Sequence, residues 1–336
     1  MSTTEQGVLN KGELPRSLAY LLLLLIFLLP QTIYADTNPT SVDLENRNEP
    51  RGFHLALMYS PESTLQSEIA EQLSRTLTRN QSNIRISTIT DSINSSSGEI
   101  EPDLIVAIGL NNIQSADELF KKTDKLLIAS DPGDFIENVN PDIQSTVLYM
   151  TQPYCRQIQF LKLIDNQWQT FSYFSNQNAP VDDLELKRCA IKYDIRPYKV
   201  NVTDTDQLTH DIKNALKNSD LILAIPDKDI FNSRTVKNIL LTSYRYRKPV
   251  IAFSKNFVNA GALASIHSNT DQIAKSAGTL IEQYITNDHK FIKSVNYPQL
   301  FEMEINRQVF RALNLDIPDI DEIRRVIENS DLESTI

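Results

Sequence analysis

The chain has 336 residues, 43 of them acidic and 33 basic, for a net charge of −10. An acidic chain without basic clusters gains nothing from the phosphate electrostatics that dominate nucleic-acid binding, which excludes nucleic acid as a partner. Eight glycines, two cysteines and four scattered histidines offer neither a glycine-rich nucleotide loop nor a metal framework, so no cofactor and no metal site are expected.

Met1 to Ala35 reads as a targeting segment. Lys11 and Arg16 precede the apolar run Leu18 to Leu29, and Ala35 is a small residue before Asp36. The run is shorter than the about 20 residues that span a bilayer. A cleavable signal peptide and a periplasmic location are expected, with an uncleaved anchor as the alternative. No cysteine stands near the cleavage point, which disfavours a lipid anchor. Asp36 to Arg51 is polar and aperiodic and reads as a flexible leader.

Regular patterning starts at Phe53. The run to Tyr59 predicts a strand, and Leu65, Ile69, Leu73 and Leu77 recur every four residues as on a helix. Further strands are predicted over Ile84 to Ile89, Asp103 to Ile108 and Lys125 to Ala129. Gly109-Leu110-Asn111-Asn112 lacks the second glycine of a dinucleotide turn. Thr146 to Met150 leads into a helix from Pro153, after which strand and helix alternate again through Leu216. Alternation of this kind predicts parallel sheets covered by helices.

The stretch Asp220 to Asn269 is the most informative. Leu221 to Ile225 and Val250 to Phe253 are apolar without alternation, the pattern of strands buried on both faces. Between them a helix is predicted from about Ser233 to Arg247, with Val236, Ile239, Leu240 and Tyr244 on its apolar face. Polar loops follow each strand, where ligands of open parallel sheets bind. Within this stretch Ser243-Tyr244, Pro249 to Ile251 and Val258 to Leu263 resemble the periplasmic substrate-binding proteins of ABC transporters, in the family that includes tryptophan- and tyrosine-binding members.

The resemblance implies an α/β, two-lobe periplasmic-binding-protein-like fold of type I, each lobe a parallel sheet flanked by helices and joined to the other by a hinge. It places the first lobe over 52–147 with a return segment about 258–290, and the second over 148–257 with a C-terminal segment about 298–328 reached through a crossing near Pro298. It implies a monomer that binds a small molecule at strand-end loops: Ser60, Pro61, Ser130, Asp131, Ser175, Asn176, Asp227, Ser254 and Asn256, with Phe231 and Phe257 as apolar walls. A carboxylate such as Asp227 suits a ligand amine, and serine hydroxyls suit a carboxylate. The implied partner is an ABC-type permease; a receptor kinase or cyclase that reads the liganded form, or a scaffold with a degenerate cleft, are the alternatives. No nucleophile elbow, zinc-protease motif or P-loop is present, so no enzyme is expected. Cys155 and Cys189 can pair in an oxidising compartment, but their spacing alone leaves the pairing open.

Overall fold

Strands that are apolar on both faces need cover on both sides, and the chain meets that need twice. The computed structural model describes residues 52–80, 83–89, 101–130, 144–176 and 181–333. The expected signal segment, the leader and Asp131 lie outside them. The described residues form one compact unit.

In chain order the first elements are β1 (Phe53–Met58), α1 (Thr64–Asn80), β2 (Ile84–Ile89), β3 (Leu104–Ile108), α2 (Leu110–Leu119), β4 (Lys125–Ala129) and β5 (Ser145–Tyr149). There follow α3 (Tyr154–Ile164), β6 (Thr170–Ser175), α4 (Asp183–Lys192), β7 (Arg196–Asn201), α5 (Leu208–Asn218), β8 (Leu221–Leu223), α6 (Val236–Arg245), β9 (Val250–Ala252), α7 (Lys255–Ala260) and β10 (Ala264–His267). The last are α8 (Thr270–Thr286), β11 (Val295–Asn296), β12 (Glu302–Ile305), α9 (Arg307–Leu313) and α10 (Ile320–Glu333).

Among the described residues two six-stranded sheets result, ordered β11-β5-β4-β3-β1-β2 and β12-β10-β9-β8-β6-β7. Every pairing is parallel except that of β12 with β10. In each sheet the strand order reverses once, between β1 and β3 and between β6 and β8. Such reversals open a crevice at the carboxyl ends of the strands.

Helix stripes cover the sheets. On the first, Ile69, Leu73 and Leu77 of α1 pack with Ile273, Ala277 and Ile281 of α8. Under the second, Phe160, Trp168, Phe171, Tyr173 and Phe310 join one core, each large side chain stabilising the fold by roughly 1.5–3 kcal/mol.

Three local expectations change. A return to the first lobe was expected at about 258, but α7 and β10 stay with the second sheet, where β10 pairs with β9, and the chain comes back only with α8. Ala260-Gly261-Ala262, small residues inside Val258 to Leu263, fall at the start of that expected return. Gly261 instead ends α7 with φ +122°, a conformation that favours glycine. Tyr244 is 54 % exposed; α6 buries Ile239, Leu240, Thr242 and Ser243 and ends before Arg247, which takes φ +54°.

Cys155 of α3 and Cys189 of α4 form a disulfide across a sequence separation of 34. Because it clips two helices on one face of the second sheet, the Cys155→Ser/Cys189→Ala variant is expected to lose about 2–4 kcal/mol in urea unfolding of the oxidised protein. An unchanged midpoint and slope would show that helix packing alone holds this face.

Candidate ligand-binding site

The first reversal is organised by a side-chain amide that sequence reading missed. Asn112, in the first turn of α2, is buried, and its Nδ2 donates to Ile108 O (2.9 Å), Gln66 Oε1 (3.1 Å) and Ser60 Oγ (3.3 Å). Gln66 Oε1 also accepts from Ser60 N at 2.8 Å. The ends of β1 and β3 are thereby bridged. Gly109, at φ +85°, makes the close approach, because a Cβ there would lie 2.4 Å from Gln66 Nε2. The only sequence signal was a pair of asparagines after a glycine-closed strand. Of the other candidates here, Ser130 is exposed at the end of β4, and Pro61 is exposed with its carbonyl accepting from Ser67 Oγ at 3.0 Å.

The second reversal repeats the device. Asn176, just past β6, donates from Nδ2 to Asp227 Oδ2 at 2.7 Å, spanning the ends of β6 and β8. Asp227 is 5 % exposed, and its Oδ1 accepts from Asp229 N (2.9 Å) and Ile230 N (3.1 Å). Burial raises its carboxyl above the usual aspartate range, against the pull of these three donors. The residue expected to meet a ligand amine is thus engaged in holding the loop. Ser175, also buried, accepts from Val181 N at 3.5 Å.

Beside this bridge stands a group of aromatic rings. Phe231 lies 6.1 Å from Phe174, Phe253 and Phe257 between ring centroids, and Phe253 lies 4.9 Å from Phe257. Phe174 and Phe231 are core, whereas Phe253 and Phe257 are half-buried and offer a wall. Ser254 starts α7 without capping it through its side chain, and Asn256 is exposed on that helix. Of the candidates, Ser175, Asn176, Asp227, Phe231 and Phe257 lie together, and Phe253, not among the candidates, joins them.

The chain crosses between the sheets three times, after β5, after β10 and after β11. Gln152 Nε2 of the first crossing donates to Ser268 Oγ of the second at 2.6 Å, and Ser268 Oγ donates to Leu300 O of the third at 2.8 Å. Buried Arg156 adds bonds to Gln152 and to Pro298 O (2.9 Å), an ion pair with Asp331 (2.7 Å) and a stack on Phe301 (5.1 Å). Tyr149 and Tyr297 pack at 5.4 Å between centroids, and burial pushes the Tyr297 phenol up to about 12, so it stays protonated. Cys155, Glu185 and Cys189 have metal-ligand spacing, but both sulfurs are in the disulfide.

Residues 169–322 match the family described as ABC transporter substrate binding protein. The resemblance read in the sequence holds over that stretch. Solved structures supply the fold across both lobes. The chain is similar to an ABC domain from Streptococcus pneumonia in complex with L-Trp (15 % identical, 82 % of this chain and 98 % of that one, TM-score 0.56). It is similar to a conserved domain protein from Vibrio cholerae (17 %, 82 % and 98 %, TM-score 0.57). It is also similar to the ligand-free, open structure of a substrate binding protein with adhesive properties from Clostridium difficile (16 %, 80 % and 97 %, TM-score 0.61). A comparison with curated proteins finds no match. The fold of this chain is therefore the type I periplasmic-binding fold.

Asp227 gives this site a pH signature. Its folded value is raised, so its contribution to stability is complete below the ordinary aspartate range and is lost as pH rises through the higher folded value. Asp227→Asn should therefore gain stability relative to the native chain over that rise, whereas Asp227→Ala should cost about 1–2 kcal/mol by leaving two backbone N–H groups and Asn176 without their acceptor. Urea unfolding across the acidic range checks both, and a stability difference for Asp227→Asn that does not change with pH would contradict the buried-carboxylate reading.

Proposed function

We propose that the protein is an exported solute-binding protein that encloses a small, amino-acid-like or aromatic amphipathic metabolite between its lobes and delivers it to an ABC-type permease. The observation that carries this reading is the matched pair of bridged strand-order reversals, one in each sheet. Crevices at such points are where open parallel sheets take ligands, and two of them meeting across a hinge enclose a solute on all sides. Phe253 and Phe257 supply an apolar wall, and Ser60, Ser130 and Ser254 supply hydroxyls for a carboxylate. The Streptococcus protein of the same fold holds L-Trp, a solute of this polarity. The three crossings are the hinge, and the protein works as a periplasmic monomer released from its signal segment.

A thermal-shift screen of the chain from Asp36 against amino acids, aromatic metabolites, organic acids and purines tests the reading. A specific ligand at a hundredfold excess over its Kd adds about 2.7 kcal/mol of stability. Aromatic amino acids are expected to give the largest shifts, and Phe257→Ala to weaken their binding about five- to tenfold while leaving the ligand-free Tm within a few degrees. No shift from any amino acid or aromatic compound would reject this ligand class.

A further inference from the structure

A second opening lies at the outer edge of the first sheet, away from the β1–β3 and β6–β8 reversals. The first sheet closes at its edge with β11, which is two residues long, and between it and α8 a cavity of about 300 Å³ remains. That is the lower end of the range of small-molecule sites. Leu148, Leu280, Tyr284, Phe291 and Tyr297 line it. Tyr284 and Phe291 pack at 4.6 Å between centroids, and the Tyr284 hydroxyl donates to Asp124 Oδ2 at 2.7 Å, so its polar end is already satisfied. Ile292 and Leu300 also line it, 68 % and 50 % exposed, large apolar side chains left in water.

The charges around this opening run against the rest of the molecule. In a chain of net charge −10, Lys275 and Lys293 line the cavity and no carboxylate does. Lys275 reaches Asp271 at 2.7 Å, a pair about half exposed at both ends and therefore weak. An opening lined by these apolar side chains, by neutral polar groups such as Ser276, Gln283 and Asn296, and by two ammonium groups favours a ligand with an apolar body and one negative charge.

We propose that this cavity is a second small-molecule site, for a free medium-chain carboxylate whose alkyl body lies on Leu148, Leu280, Tyr284 and Phe291 and whose anionic head meets Lys275 and Lys293. It is independent of the solute site at the strand ends. Titration calorimetry with decanoate below its micellar range is the test, with decan-1-ol as the neutral match. One decanoate per chain is expected, with at least tenfold weaker binding for Lys293→Glu and none for Thr279→Trp, which fills the cavity from α8. Binding should persist in Phe257→Ala, which separates this site from the strand ends. Circular dichroism melts confirm that each variant is folded; should Thr279→Trp fail to fold, Lys275→Glu/Lys293→Glu replaces it. Absence of decanoate binding, decan-1-ol binding as tightly as decanoate, or affinity unchanged in these variants would overturn the proposal. Flotation with phosphatidylglycerol vesicles that is lost in the same variants would overturn the free carboxylate in favour of a lipid chain.

Discussion

The hydrogen bond between Asn176 and Asp227 is the contact on which the candidate site depends. Parallel strands end with their loops on one side, and where the strand order reverses the two loops on either side of the gap diverge, leaving backbone groups to be satisfied. Asp227 satisfies two of those groups with one oxygen and takes the Asn176 amide with the other. Burial makes this arrangement costly to break, since each donor would be left without a partner in a low-dielectric site. The first sheet reaches the same end with neutral groups, Asn112 serving Ser60, Gln66 and Ile108 O. Two sheets with little sequence in common thus fix their crevices by one physical means, a side-chain amide across the gap.

The crossings are tied to one another. Gln152, Ser268 and Leu300 belong to three separate passages of the chain, yet one chain of hydrogen bonds runs through them. Arg156 locks the first passage to the third and to α10. A hinge needs rigid bodies on either side and a few residues that absorb the motion. The disulfide and the aromatic core stiffen the second lobe, and the α1–α8 packing stiffens the first. In the proposed closure, bending would fall to the short segments between them.

Much of this was legible in the sequence where burial writes a strong pattern. Leu104 to Ile108 and Leu221 to Leu223 are apolar throughout because both faces are covered, and the Ile69, Leu73, Leu77 spacing gave α1. Asp227, singled out for its place after a buried strand, lies beside the β6–β8 reversal. What escaped was set by tertiary context. Asn112 and Gln66 are ordinary polar residues on helices until Gly109 brings them together, and nothing local to Asp227 reveals that its oxygens are taken by its own loop and by a residue 51 positions away. The chain's stay in the second sheet through β10 was missed because Ala260-Gly261-Ala262 suits a helix end as well as a crossing.

Closure of the two lobes over a solute is tested most directly by a distance across the crevices. The native cysteines are joined to each other, so Glu62→Cys and Lys228→Cys, both exposed and one in each lobe, accept spin labels selectively. Pulsed electron resonance would then measure their separation with and without the aromatic amino acid that gives the largest thermal shift. Hinge closure predicts a shorter and narrower distance distribution in the liganded protein. An identical distribution in both states, with the solute demonstrably bound, would contradict it.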